Sequence, residues 1–369
     1  MAANPRVEAV AQARGRSRLA PGEGRLGWLM AGPAILLLIG FLVLPFILAF
    51  GLAFTNQRLI SPNPTEFVGT RNFEGLLTVK VLSLEPERNE AGGTVIGEDG
   101  APVYPALRDI TRDRASQYYQ LQEWLLFDVG GTRHYVLVGD AVFMKSLVNT
   151  IAFALVIVPL QSAFGLLLAL LVNRRMRVVN LFRTIYFLPV VTSMVVISLL
   201  WKFLYSPDNG LVNEFLGAAT FGAIGPVNWL GDPATALPAI MVMSMWQAVG
   251  FHMVIWLSGL QTIPSHLYEA AALDGAGRWA QFRNVTWPGL RNTSVFILIT
   301  ITIAAFGLFT QIDVMTKGGP LDSTSTVIFQ AVQRGFGQQD IAYGSAISVV
   351  FFVMVLSVAL IQRYLTREA

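Results

Sequence analysis

The chain has 369 residues, of which 54% are hydrophobic and only 13% charged. A soluble domain carries about 25% charged residues, so a water-soluble enzyme, a disordered chain and a solvated coiled coil are excluded. Cys is absent, which removes disulfides, thiolate metal sites and cysteine nucleophiles, and the formal net charge is a small +3.

In chain order, a basic tail (1–25) precedes six stretches without Asp, Glu, Lys or Arg: 26–57, 146–173, 184–201, 233–266, 292–312 and 341–362. Each reaches the roughly 18–20 residues that cross about 30 Å of hydrocarbon as a helix. A single Arg or Lys at a helix centre would cost about 2.5–3.5 kcal/mol on insertion, so the unbroken tracts predict six membrane helices. The first apolar tract is too long for the core of a secretory signal and reads as an uncleaved helix. A seventh charge-free stretch, 215–231, is short and holds Pro226 and Asn228. It reads as a re-entrant or surface element. Pro159, Pro189 and Pro238 lie in or near the spans, as helix kinks or ordinary packing features.

Positive charge gathers on alternate sides of these tracts. Arg6, Arg14, Arg16, Arg18 and Arg25 precede the first, Arg174, Arg175, Arg177 and Arg183 follow the second, Arg278, Arg283 and Arg291 follow the fourth, and Arg363 and Arg367 follow the sixth. The short segments on the opposite side hold only Lys202, Lys317 and Arg334, and the long segment between the first two tracts is set aside because long loops cross largely regardless of charge. By the positive-inside rule both termini are expected in the cytoplasm.

Residues 58–145 are expected to form a small extracytoplasmic insert between the first and second helices. Acidic residues (Glu85, Glu87, Glu90, Glu98, Asp99) alternate there with turn signals at Gly92-Gly93, Asp99-Gly100 and Gly130-Gly131. The run from His134 to Val138 reads as a strand and 112–127 as a helix. A packed spacer and a dock for a soluble partner both fit this segment.

The fourth and fifth tracts are joined by Tyr268-Glu-Ala-Ala-Ala-Leu-Asp-Gly-Ala-Gly-Arg-Trp-Ala-Gln-Phe-Arg-Asn-Val-Thr-Trp-Pro288. Glu269 to Leu273 is a strong helix-forming run, Asp274-Gly275 and Gly277 break it, and a second helical stretch follows over 278–285. Small Ala faces let a partner approach the backbone closely. An amphipathic loop lying on lipid is the plainer alternative.

Glu269-Ala270-Ala271, Asp274-Gly275-Ala276, Phe282 and Pro288 resemble the EAA signature of permeases from binding-protein-dependent ABC importers. Thr316-Lys-Gly-Gly-Pro320, Tyr343-Gly-Ser-Ala346 and Asn149-Thr150 resemble elements of the carbohydrate branch, the sugar and glycerol-phosphate permeases. The resemblance covers the first span and everything from about residue 145 onward. It implies an all-α polytopic fold of the type I importer kind, with a core permease domain over 146–369 and an EAA coupling loop over 261–291. It also implies a homologous permease as heterodimer partner, a dimer of ABC ATPases below and an extracytoplasmic solute-binding protein above. In such an assembly Glu269 and Asp274 are polar contacts or caps in the ATPase groove, Gly275 supplies the turn, and Phe282 and Ala270–Ala272 pack. ATP and Mg would be bound by the ATPase. This chain has no G-x-x-x-x-G-K-[ST] run around its four Lys, and no cofactor, metal or nucleic acid is expected.

In the fourth tract, where related permeases line their sugar path, stand Trp246-Gln247-Ala248-Val-Gly-Phe251-His252. Gln247 suits sugar hydroxyls, and Trp246 and Phe251 suit an apolar sugar face; lipid packing is the plainer role for the aromatics. His252 reads as a structural histidine, with a place on the path as the alternative. The fifth tract has Ala305, Gly307 and Leu308 where some family members place polar side chains, a departure that gives no ground for carrying maltose specificity over. Gln161, Thr192, Ser193 and Gln311 are weaker candidates. An ion-gradient-driven transporter would need carboxylates deep in the spans, and the nearest, Asp313, sits at the end of the fifth. An intramembrane enzyme would need a clustered catalytic set, which His134, His252 and His266 do not make.

Overall fold

The computed structural model describes residues 23–89, 93–97, 100–173 and 179–367. Arg6, Arg14, Arg16, Arg18, Glu90, Gly92, Glu98, Asp99, Arg174, Arg175 and Arg177, used above to read orientation and turns, lie outside the described residues. The chain divides into two units, Met1–Gly51 and Leu52–Ala369.

The first unit is one long helix in three parts: α1 (Glu23–Leu38), a π turn (Ile39–Val43) and α2 (Leu44–Leu52). Pro45 has no N–H to give, and a widened turn just ahead of such a residue relieves its ring against the preceding carbonyls. Side chains from Trp28 to Phe50 are largely exposed within the chain, so this helix depends on apolar surroundings.

The second unit opens with α3 (Arg71–Leu77) and a three-stranded antiparallel sheet of β1 (Val79–Leu84), β2 (Gln122–Val129) and β3 (Thr132–Val138), ordered β1-β3-β2. The strand expected at 134–138 is β3. The helix expected over 112–127 does not form: α4 covers Leu107–Arg112 only, and 122–129 is strand. Two side chains turn the backbone aside. Asp113 accepts from the Ala115 N–H at 2.9 Å and Ser116 from the Tyr118 N–H at 3.1 Å, bonds that compete with helix propagation. The apolar run 124–127 then pairs with β3 across Gly130-Gly131, at φ 61° and 80°, the positive values that match a tight hairpin's twist. Arg133 reaches Asp128 at 3.0 Å across that hairpin, and the hydrogen bond holds its guanidinium pKa above the usual range.

The helical core follows: α5 (Ala141–Val172), α6 (Val179–Val191), α7 (Met194–Leu204), α8 (Leu211–Ala219) and α9 (Ala236–Gln261). Next come α10 (Ser265–Leu273), α11 (Arg278–Gln281), a π turn (Phe282–Thr286) and α12 (Trp287–Gly289). After these stand α13 (Arg291–Phe306), α14 (Thr310–Met315), α15 (Val327–Val332), a third π turn (Gln333–Gly337) and α16 (Ile341–Arg367). Among the described residues, five helical stretches are long and apolar enough to cross a bilayer: Gly27–Leu52, Ala141–Val172, Ala236–Gln261, Arg291–Met315 and Ile341–Thr366.

The tract 184–201, expected as one membrane span with Pro189 as a kink or a packing feature, is broken rather than continuous. It is two helices, Asn180–Val191 and Met194–Leu204, bent by 100°. Pro189 removes one N–H, the Thr192 hydroxyl donates to the Leu188 carbonyl at 3.2 Å, and Ser193 adopts an extended ψ of 133°, so the helical ladder stops there. By contrast α5 continues through Pro159, and Pro238 lies in the first turn of α9, where a missing N–H costs nothing. Over 215–231 the chain forms only the end of α8 and a loop tied to Asn213, which bonds the Val227 carbonyl at 3.0 Å and the Trp229 indole at 2.8 Å.

Packing is closest where glycine permits it. A Cβ on Gly250 of α9 would lie 1.9 Å from the Tyr186 carbonyl oxygen of α6, so the two backbones touch there. Trp256 of α9 is fully buried against α5, its indole N–H donating to the Ser162 carbonyl at 3.1 Å.

At the end of the bundle where α5 begins, Asp140 caps the helix by accepting from the Phe143 N–H at 2.9 Å. Its second oxygen accepts from Arg334 at 2.8 Å and from the Tyr343 hydroxyl at 2.9 Å, so one buried carboxylate ties α5 to the third π turn and to α16. One face of α5 also holds the loop 316–327. Asn149 donates to the carbonyls of Asp322 (3.0 Å) and Ser325 (2.9 Å), Thr150 accepts from the Val327 N–H at 3.0 Å, and the Ser146 hydroxyl donates to that of Ser325 at 3.0 Å. Lys317, Gly318, Leu321 and Asp322 in this loop all have positive φ, between 48° and 84°, a conformation that persists when surrounding bonds dictate it.

Replacing Asp140 by Ala leaves Arg334 without its partner and α5 without its cap, and is expected to cost about 3 kcal/mol. Tyr343→Phe removes one hydrogen bond and is expected to cost about 1 kcal/mol. Unfolding of the detergent-solubilised protein, followed by temperature or denaturant, checks both the size and the order.

Candidate functional site

Two features of the second unit carry chemistry. The first is a cavity of about 180 Å³ among α5, α7, α9, α13 and α14. That volume admits on the order of ten waters. Phe153, Ile157, Met194, Ile301, Ala304, Ala305 and Leu308 make its apolar walls, while Gln161, Ser244, Gln247, Ala248, His252 and Gln311 add polar or small surfaces. Gly307 ends α13 and sets α14 off from it, which brings Leu308 and Gln311 to the wall.

Of the residues expected on a substrate path, the cavity gathers Gln247, Ala248 and Leu308, and leaves out Trp246 and Phe251. Trp246 lies about half a helical turn from the wall and packs edge-on against Trp201, ring centres 5.5 Å apart. Phe251 stands edge-on to His252 at 5.3 Å and is not in the wall. His252 is hydrogen-bonded as a structural histidine would be, through Nδ1 to the Ala248 carbonyl at 2.9 Å, with the Gln161 side chain 2.9 Å from the same nitrogen. It nevertheless lines the cavity, as do Gln161 and Gln311, the weaker sequence candidates. Ser244 is absent from the expected set. Its only signal in the sequence is a hydroxyl inside an apolar tract.

The second feature is the loop from α10 to α12. Helix α10 ends as the sequence suggests, at Asp274-Gly275. Gly275 has φ +75°, its N–H donates to the Ala272 carbonyl at 3.0 Å, and the Ala276 N–H donates to the Ala271 carbonyl at 2.9 Å. This pair of bonds is the Schellman arrangement, which satisfies carbonyls that a helix end leaves free. The second helical stretch runs past 285 to Gly289 with a π turn in its middle, so Pro288 sits in a short helix rather than at a break. Tyr268 and Thr286 share a hydrogen bond at 3.0 Å that ties the two arms together.

Glu269, Ala270, Asp274, Gly275 and Pro288 are exposed, while Ala271 and Phe282 are half-buried. Phe282 is sandwiched between Trp279, at 5.6 Å, and Trp287, at 6.3 Å. Leu273 is 90% exposed and Trp279 73%. No group of three or more His, Asp or Glu that could hold a metal occurs among the described residues.

Residues 161–369, more than half of the chain, match the family described as binding-protein-dependent transport system inner membrane component. The chain belongs to this family. This permease is similar to the probable ABC transporter permease protein YurN of Bacillus subtilis, 35% identical over 63% of this chain and 80% of that one. It is also similar to the lactose transport system permease protein LacF of Rhizobium radiobacter, 36% identical over 72% of this chain and 89% of that one. The fold matches a chain in the crystal structure of a bacterial ABC transporter involved in the import of the acidic polysaccharide alginate. There the TM-score is 0.66 at 19% identity, over 93% of this chain and 95% of that one.

Within the permease, the carbohydrate-branch elements are structural. Asn149, Thr150, Thr316–Pro320 and the start of α16 meet at one end of the bundle, whereas the EAA residues form the exposed loop at the other. Gly275→Ala places a Cβ on a left-handed residue and is expected to cost about 1–2 kcal/mol locally. Faster backbone hydrogen exchange over 270–277, with no change in α5, would show that the cost stays in the loop.

Proposed function

We propose that this chain is the carbohydrate-conducting permease subunit of an ATP-driven importer, seated in the inner membrane of a bacterium. The observation that carries the proposal is the exposed, largely helical loop 265–289 between two membrane helices of a chain in this permease family. Supporting the substrate class of sugar, oligosaccharide or polyol phosphate, relatives of comparable identity are named for lactose, trehalose/maltose, diacetylchitobiose and sn-glycerol-3-phosphate transport.

On this reading the bent pair 180–204 counts as one span, which makes six, and the arginine-rich sides face the cytoplasm with both termini. The sheet of the 58–145 insert then lies outside. Glu269, Ala270, Ala271, Asp274, Gly275, Phe282 and Pro288 form the seat for a separate ATPase dimer, which binds ATP and Mg. A second, homologous permease completes the path and a solute-binding protein delivers the substrate. Because α10 continues from α9 and α12 leads into α13, closure of the ATPases acts on two helices that also wall the cavity. The loop is the element biased by nucleotide in a two-state device.

Gentle extraction of the tagged chain from its native membrane should recover a P-loop ATPase and a second EAA-type permease. Glu269→Lys should reduce the recovered ATPase about tenfold, the scale of losing about 1.4 kcal/mol of contact. Repeated isolation of the chain alone, still competent for gradient-driven uptake in vesicles, would overturn the proposal.

A further inference from the structure

A groove of about 280 Å³ lies where the first turns of α13 meet the last turns of α16. Trp287 and Pro288, at the end of the coupling loop, and Arg291 form its rim, and Val295, Leu298 and Leu365 its apolar sides. Ser294 and Thr366 also border it, but each hydroxyl donates within its own helix, to the Leu290 carbonyl at 2.9 Å and the Gln362 carbonyl at 2.8 Å.

A second cavity, about 460 Å³, takes up the same two helices further along and adds Leu155 and Val158 of α5. Its wall includes Thr302 and Phe306 of α13 and Met354, Val358 and Gln362 of α16. Positions 291, 295, 298, 302 and 306 recur every three or four residues, so one face of α13 borders both spaces, and 365, 362, 358 and 354 do the same on α16. Between them the Gln362 amide donates to the buried Thr302 hydroxyl at 2.7 Å, which joins the two helices. From Arg291 to Phe306 the helix rises about 22 Å, more than the roughly 15 Å of hydrocarbon in one leaflet.

The charge sits at one end of this apolar course. Arg291 is exposed and has no ion pair or hydrogen bond among the described residues. Neither α13 nor α16 carries Asp or Glu. The exposed Arg363 stands one turn before Thr366. Trp287 is half exposed, and its indole N–H has no partner among the described residues. A free cation and an indole donor at the mouth of a long apolar groove match an amphiphile with an anionic head and a hydrocarbon tail. A soluble anion would leave the apolar length unfilled, and a zwitterionic head would bring its own cation towards Arg291.

We propose that this groove binds an acidic phospholipid of the cytoplasmic leaflet. The phosphate accepts from the Arg291 guanidinium and the Trp287 indole N–H, and one acyl chain lies along Val295, Leu298 and Leu365 towards Phe306. Trp287 packs against Phe282 of the coupling loop, so the headgroup also steadies the second arm of that loop. The site goes beyond the importer reading and takes from it only the leaflet.

The test uses the full-length chain with whatever partners it retains, purified in detergent and offered equal amounts of phosphatidylglycerol and phosphatidylcholine with the same acyl chains. Native mass spectrometry counts the lipid held per chain. Phosphatidylglycerol is expected to be held about fivefold over phosphatidylcholine, the ratio that one basic group near the surface supplies. Arg291→Gln is expected to remove the preference and Arg291→Lys to keep it. Leu298→Trp, which fills the groove and leaves the charge, is expected to lower the phosphatidylglycerol count as well. In nanodiscs of phosphatidylglycerol the backbone of 279–289 is expected to exchange hydrogen more slowly than in phosphatidylcholine, a difference that Arg291→Gln abolishes. Equal retention of the two lipids, or a preference unchanged in Arg291→Gln, overturns the site. Full retention by Leu298→Trp overturns the groove as its place, and exchange that is the same in both discs overturns the link to the loop. The lipid ratio is read whether or not an ATPase co-purifies, so the lipid site and the importer reading can each fall without the other.

Discussion

Irregular backbone can be buried only if its N–H and C=O groups are satisfied by the protein, and the loop 316–327 meets that condition through one face of α5. Ser146, Asn149 and Thr150, spaced three and four apart, bond the Asp322–Val327 backbone and the Ser325 hydroxyl. Thr316 and Thr324 close the loop on itself at 2.7 Å, and Thr326 donates to the Leu308 carbonyl at 2.7 Å. Helix α14 and the Gly307 break are therefore held at fixed distance from α5. The wall of the cavity depends on that spacing, because Leu308, bonded to Thr326, and Gln311 line it together with Phe153 of α5.

Much of the helical framework is legible from charge alone. The apolar tracts at 26–57, 146–173, 233–266, 292–312 and 341–362 coincide with long helices because an ionised side chain inside a span is so costly that its absence is a strong signal. The bend at Thr192-Ser193 is not legible in the same way. Thr and Ser are uncharged, so hydropathy passes over them, and their hydroxyls act only once the backbone has a choice of partner. The failed helix at 112–127 has the same cause in Asp113 and Ser116, reinforced by β3, which pairs with 122–129 across a tight hairpin and is itself paired with β1 from much earlier in the chain.

The candidate sites divide along similar lines. The coupling loop could be read residue by residue, since its turn is local: Asp274-Gly275 ends a helix wherever it follows one. The cavity could not, because it is assembled from four helices and a helical segment far apart in the chain. Gln247 was visible as a polar residue in an apolar tract, and so was Gln161. Which aromatic neighbours join them depends on helix rotation, and Trp246 and Phe251 fall outside the wall. Ser244 gave almost no signal because a single hydroxyl in a helix commonly satisfies itself on the preceding turn, as Ser198 does with the Met194 carbonyl. Ser244 does not.

The sheet in the first half of the second unit begins and ends at one point. Val79 of β1 is paired with Val138 of β3, the Gly139 N–H donates to the Thr78 carbonyl at 3.0 Å, and a Cβ on Gly139 would collide with the Gly75 carbonyl oxygen. The chain thus leaves the helical frame and returns to it side by side, and Gln122 of β2 reaches the same place, accepting from the Ala141 N–H at 3.3 Å. The connections between these strands can lengthen, shorten or be exchanged while α3 and α5 keep their places. In evolutionary terms this is a graft site, where length changes between β1 and β3 disturb the long helices least.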